Sequence, residues 1–526
     1  MTMLMGYPGP PVVPPLIGPA LPRRGEPGWT MLPRRVWPIS PLATAPHRVV
    51  VLAVVAGLLG TALWRPSSLS VGYVVVGVVV FAVVYGTAER RPTRTEWAGI
   101  ALTLALLAVP ALLAADWLGV LCIMAAWIVG WCTLFGGRTW TAVLTAPFLA
   151  WALPARVLGW TRRGLSGRVG IANPIRVAAV VGLTVLLTLV FGALFASADA
   201  AFAHLVGKLV PRFDGVDVVA RVVVFGMVAA FVLGGAYLTR FAPRLDVLAP
   251  KPMKPVPRWE WAVPLGVLDA LFIAFVAVQA AVLFGGHTHV LETEGLTYAE
   301  YARQGFWQLL WVSALTLLVL SGVIRVAGRV SAGDRRVLRV LAGILCATSV
   351  VVVISAIHRM WLYQQAYGFS TDRLMVITIE LWLGAVFLLV AVAGVRMSGR
   401  WLPHAVLAAG VVALLGLAAL NPERLVADRN IDRFEQTGQL DAEYLSRLSS
   451  DIDPALHRLP ERVRACVRAN YPHDDPWYLF NLSRSNADRP VGTDLPDYCS
   501  QYGTLNRPEF DAHRFIGAQP LIGLCS

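Results

Sequence analysis

From residue 48 onward, long apolar runs alternate with short polar segments, and each run lacks the period of a surface helix. A helix rises ~1.5 Å per residue, so about 20 apolar residues cross a hydrocarbon core of ~30 Å. Runs of that kind fall near 48–64, 69–88, 97–115, 117–135, 175–196, 218–239, 261–284, 306–326, 337–357, 374–395 and 401–420. The pattern therefore predicts an all-α transmembrane bundle of about eleven spans, the first of them short. Residues 138–168 break the rule. The run is apolar but carries Pro147 and Pro154, and both of its flanks are basic. A helix lying in the membrane interface or a re-entrant hairpin fits that better than a span, which would place one basic flank on the wrong side.

The ends of the chain differ from the middle. Residues 1–47 are rich in proline, glycine and arginine and lack the early apolar core of a cleaved signal peptide, so they read as a disordered cytoplasmic tail. Residues 421–526 are polar and read as a small, mostly helical domain. Asn421-Pro422 opens a helix with Ala427, Ile431 and Phe434 on one face, and Gly438 closes it. Asp441 opens a second helix, with Tyr444, Leu445 and Leu448 inward. Asp453-Pro454 opens a third, striped by Leu456, Leu459, Val463, Cys466 and Val467 and bent at Pro460.

Charge orients the bundle. With the N-terminus inside, the inner segments hold clusters such as Arg90, Arg91, Arg94; Arg138, Arg156, Arg162, Arg163; Arg240, Arg244, Lys251, Lys254, Arg258; and Arg335, Arg336, Arg339. The outer loops hold only scattered cations, among them Arg65, Arg221 and Arg303. That asymmetry is the positive-inside pattern, and an odd span count then puts residues 421–526 outside. The +13 net charge thus belongs to short loops beside a membrane and implies no nucleic-acid partner. The expected surroundings are the lipid bilayer of a cell inner (plasma) membrane. With 56% hydrophobic and 15% charged residues, the chain is far less charged than a soluble protein.

The chemistry-bearing candidates are few. Ionisable groups inside spans point to function or to structural pairing. Asp269 sits about 12 Å above the inner interface, and Arg325 near the inner end of its span is its expected partner. Glu380, in the outer part of its span, is matched with Arg359 or His358. Gln279 is placed for an interhelical hydrogen bond. Both pairs read either as a proton or ion path or as ion pairs that fix packing. Asp199 follows a span and reads as a cap for a short outer helix. Thr297 with Glu300 has the spacing of a capping box. Tyr298, Glu300, Tyr301 and Arg303, with Tyr367 in a second aromatic outer segment, form a candidate lid, docking surface or interfacial anchor. His287, His289, Glu292 and Glu294 are too loosely spaced to define a metal site, and no metal or cofactor is assigned. Cys466 with Cys499 is the preferred disulfide in a compartment that permits one. There is no phosphate-binding Gly-Lys-Ser/Thr loop, HExxH, GxSxG or kinase signature, so an ATP-driven pump or an ordinary hydrolase is not indicated.

The runs GLTYAEYARQGFWQLL, LFASADAAF, VPLGVLDALFIAFVAVQ, RMWLYQQAYGFSTDRL and LNPERLVADRNIDRF resemble a family of bacterial membrane proteins familiar from actinobacteria, catalogued as a domain of unknown function of type 4153 or 4173. The resemblance spans roughly residues 50–450. It implies a polytopic membrane protein and gives no residue a role. Three functions follow as expectations. The first is an envelope scaffold or signalling component that binds another envelope protein through residues 421–526. The second is a proton- or ion-coupled transporter using Asp269 and Glu380, and the third a membrane-embedded enzyme.

Overall fold

The structure is a computed structural model. It describes residues 36–37, 44–65, 68–166, 187, 191, 215–250, 256–284, 298–327, 331–467 and 476–487. The helices are α1 (His47–Leu63), α2 (Gly72–Gly86), α3 (Arg94–Leu112), α4 (Asp116–Phe135), α5 (Trp140–Leu149), α6 (Leu153–Ser166), α7 (Gly215–Arg240), α8 (Arg258–Phe284), α9 (Tyr298–Val326), α10 (Ala332–Tyr367), α11 (Thr371–Arg396) and α12 (Leu402–Ala419). Five shorter helices follow: α13 (Pro422–Thr437), α14 (Ala442–Ser446), α15 (Asp453–Leu456), α16 (Glu461–Arg464) and α17 (Leu482–Asn486). No strand occurs among the described residues; an isolated bridge joins Val256 to Ala327.

The predicted runs are helical over most of their described length, and of the run at 175–196 only residues 187 and 191 are described. Nine described helices have the length and apolar composition to cross a membrane. α1 and α2 are shorter, at 17 and 15 residues, because chain turns consume the ends of the apolar runs. The outer surface is apolar: Phe148, Trp151, Val267, Leu318 and Val395 are each more than 60% exposed. A bundle whose exposed faces are as apolar as its core is solvated by lipid.

Contacts sort the helices into two groups. α1, α2 and α4 through α7 pack around Val84, Phe135, Trp160 and Leu238, with α3 against α2 and α4, and α8 through α11 pack around Leu265, Leu345 and Phe387. α12 joins them through Val411 and Leu417, which meet Leu106, Leu118 and Val129 of α3 and α4. Glycines permit the closest approach: a Cβ on Gly57 of α1 would lie 2.7 Å from the Phe225 ring of α7.

The two ends of the bundle are distinct. At one end, Arg240 donates to Thr87 O, Trp37 Nε1 to Phe241 O at 3.0 Å, and Arg258 pairs with Asp334 at 2.6 Å. The basic clusters gather here. At the opposite end sit residues 64–65 and 68–71, the 113–115 loop and the described tail residues 421–467 and 476–487.

This geometry bears on residues 138–166. The Trp140–Gly164 run is long and apolar enough to cross, yet both of its ends meet the basic end. Asp246 accepts from Arg138 N at 2.9 Å and Thr139 N at 3.0 Å. At the far end of the run Trp160 O accepts from Ala45 N at 3.2 Å, and the Arg156 guanidinium lies over Trp37. Between them Trp151 stacks near Trp127, ring centroids 6.0 Å apart, and Trp127 is eight residues, about 12 Å, from the end of α4. The chain dips in along α5, turns through a 3-10 segment at Ala150–Ala152 beside Pro154, and returns along α6. Leu153, Val157 and Trp160 are buried on one face of α6, and Arg162 and Arg163 are exposed. α5 and α6 thus form a helical turn-back whose two described ends both lie at the basic end.

In the tail, the side chain of Asn421 caps α13 by accepting from Arg424 N at 3.3 Å. Gly438 ends that helix with φ +70°, and Asp441 caps α14 by accepting from Tyr444 N at 2.8 Å. The third expected helix differs: Pro460 splits it into α15 and α16 instead of bending it. Its missing N–H and its fixed φ stop the ladder, and Val463 and Cys466 still reach the shared core with Ile431 and Leu456.

Candidate functional site

α8 buries Trp261, Leu265, Asp269 and Phe272, positions spaced by three and four, so Asp269 stands in a stripe that otherwise carries large apolar side chains. It is 3% exposed. Glu380 occupies the same kind of position on α11, with Leu383, Gly384 and Phe387, and is 0% exposed. Neither oxygen of either carboxylate has a protein hydrogen-bond partner. Ser313 Oγ of α9, Ser349 Oγ and Gln364 Nε2 of α10 are likewise buried without one. All of these helices belong to the second group. Across α10 and α8, Ser355 Oγ donates to Gln279 Oε1 at 3.3 Å. Cys346 of α10 is buried.

The two expected ion pairs are not formed. Asp269 lies eleven residues into α8, about 16 Å from its start. Arg325 is the penultimate residue of α9 at the basic end and is exposed, so a guanidinium cannot span the difference in depth. Glu380 is buried with no hydrogen-bond partner on either oxygen, whereas His358 is exposed. Pairing across a bundle depends on rotation about each helix axis, which spacing along one strand of sequence does not give.

The remaining candidates separate by place. Tyr298, Glu300, Tyr301 and Arg303 fall on the opening turns of α9, and Tyr367 is the last residue of α10, where Gly368 (φ +84°) ends the helix. Asp199, the His287–Glu294 segment, Thr297 and Cys499 lie outside the described residues. Cys466 is buried in the tail core.

Sequence reasoning missed a second set of buried acids, those seating the tail on the bundle. Asp451, 2% exposed, accepts from Ala114 N and Ala115 N at 3.0 Å, at the start of α4. Glu423, 4% exposed, accepts from Trp117 Nε1 at 3.0 Å and Ser449 N at 2.6 Å. Burial pushes its carboxyl above the ordinary range, against the pull of those donors. Asn481 donates to Pro110 O and Leu113 O at 2.9 and 2.8 Å, and Asn430 bridges to Phe369 O at 2.9 Å. Partners more than 300 residues apart leave no local signal.

Long apolar helices around buried, unpartnered carboxylates define a polytopic α-helical integral membrane protein. The chain belongs to the family described as Domain of unknown function (DUF4153), whose model matches residues 100–459. No curated protein and no solved structure matches it.

Proposed function

We propose that this protein is a proton-coupled membrane transporter in which Asp269 and Glu380 carry the proton. The observation that supports the reading is the burial of both carboxyls in the second helix group with no counter-ion and no hydrogen bond. An unpaired carboxylate ion buried this way costs several kcal/mol. Each group is therefore stable in place only when it holds a proton or a cation, and must release it when the site hydrates. That exchange is the step a coupled carrier needs. The gathering of basic residues at the end that holds Val36 and Trp37 supports a cytoplasmic placement of that end in a plasma membrane, with the tail outside.

The test is infrared difference spectroscopy of the full chain in liposomes on transfer from H2O to D2O. The carboxylic-acid C=O band should shift, and should be lost in part in Asp269→Asn and in Glu380→Gln. A band assigned to these residues that never exchanges would remove the proton-carrier reading and leave two sealed packing groups. A second reading, a scaffold acting through the tail, is favoured by exposed Trp477, Phe480 and Leu482. It fails if substituting these three by serine leaves every partner recovered with the protein unchanged.

A further inference from the structure

A cavity of ~310 Å³ lies in the first helix group, away from Asp269 and Glu380. Gly60 and Leu63 of α1, Tyr73 of α2, Thr103 of α3, Trp127 of α4 and Phe231 of α7 contribute to its wall. Of all its lining side chains only Trp64, Tyr73, Thr103 and Trp127 carry nitrogen or oxygen, and Thr103 Oγ1 is already committed to Gly99 O at 2.8 Å. So the interior offers dispersion contacts and almost no hydrogen bonds. A cavity of ~150 Å³ holds benzene; one about twice as large accepts a flexible chain of about a dozen carbons.

The charge around this cavity is uneven. Two arginines adjoin wall residues in sequence on the side of the tail, although neither is itself a wall residue. Arg65 follows Trp64 directly and is exposed. Arg221 precedes Val224, another wall residue, by one turn of α7, and its Nε is buried with no protein hydrogen-bond partner. The loop between α1 and α2, which carries Arg65, is held by the tail. Arg484 Nη1 donates to Leu69 O at 3.1 Å, and Val71 N donates to Phe480 O at 2.9 Å. Exposed Trp477 and Phe480 stand next to those contacts, as side chains at a lipid headgroup level do.

An apolar shaft whose wall residues Trp64 and Val224 are followed and preceded by arginines fits an amphiphile with an anionic head. We propose that the cavity binds one acyl chain of an anionic phospholipid, with the headgroup phosphate against Arg65 and Arg221. Arginine suits this because its planar fork meets phosphate oxygens through two N–H donors, and basic pockets between membrane helices bind lipid heads in the same way.

The test is photolabelling of the full chain in nanodiscs containing phosphatidylglycerol with a diazirine in its acyl chain, followed by peptide mapping. Phosphatidylcholine with the same chain serves as the comparison. Label should concentrate on peptides covering 60–81 and 224–231, about ten-fold more with phosphatidylglycerol than with phosphatidylcholine. Arg65→Gln with Arg221→Gln should abolish that preference. Val76→Trp, which fills the cavity, should lower labelling of these peptides about ten-fold, with Val224→Phe as a milder alternative if the first variant does not fold. Label spread over the exposed faces of α8 and α10 as strongly as over the cavity in the wild-type protein would overturn the proposal, since it marks annular lipid only. Equal labelling by both lipids would overturn the headgroup assignment, and displacement by free fatty acid but not by phospholipid would name a different ligand.

Discussion

Replacing Asp451 by alanine tests whether the tail is a built part of the bundle. The first N–H groups of any helix lack intrahelical acceptors and carry the positive end of its dipole. At α4, the Asp451 carboxylate supplies the acceptor: Oδ1 and Oδ2 lie 3.0 and 3.1 Å from Ala114 N, and Oδ2 lies 3.0 Å from Ala115 N. Ala114 and Ala115 are 8% and 2% exposed, so with alanine at 451 neither amide regains water while the tail stays docked. An unsatisfied buried donor costs about 1–3 kcal/mol, and loss of a capping oxygen alone about 1 kcal/mol. The expected loss is about 3 kcal/mol of docking free energy, or about 100-fold in the docked population. Asp451→Asn keeps one acceptor oxygen and should lose about half as much. Hydrogen exchange of the full chain in nanodiscs reads both sides of the contact. Peptides covering 113–118 and 444–456 should gain exchange together, with α8 unchanged. If 444–456 loosens while 113–118 stays protected, Asp451 serves only the tail's own fold and the capping argument is wrong.

Other consequences can be measured directly. Asp269→Leu should leave thermal stability unchanged or raise it, because exchanging an unpaired buried acid for an apolar side chain removes a desolvation cost; a loss above about 2 kcal/mol would reveal a partner that the structure does not contain. Glu423 binds its proton more tightly in the docked state than in the undocked one, so its contribution to docking is full below the ordinary glutamate value of about 4.3 and is lost as pH rises through the raised value. Tail exchange should therefore increase with pH in that window, and the slope should vanish in Glu423→Gln. Asp246 has the opposite sign. Burial raises its carboxyl, but the Arg138 and Thr139 donors outweigh it and hold it below the ordinary range, so its contribution is lost as pH falls through that depressed value. Being exposed, it should contribute under about 1 kcal/mol. Of the six cysteines, a Cys466–Cys499 bridge leaves four thiols to alkylate after denaturation without reductant, among them Cys122, Cys132 and Cys346; six alkylated without reductant would exclude it.

What the sequence determined about this protein is what depends on neighbours within a turn or two. Helix existence follows from apolar run length. The caps at Asn421, Asp441, Gly368 and Gly438 follow because a capping oxygen or a positive φ is a local requirement. Pro460 was legible as an interruption, though only the shared core around Ile431 shows that the chain stops and restarts there. The tertiary structure alone decided what depends on register between helices. It brought both ends of the 138–166 run to the basic end, which hydropathy, the same for a segment that crosses and one that returns, does not tell. It separated Asp269 from Arg325, because matching depth requires knowing where α8 and α9 begin. It also brought Asp451 to Ala114 and Asn481 to Leu113 across more than 300 residues, because buried amides at a helix start must be satisfied by whatever folds onto them, and no local pattern says what that will be.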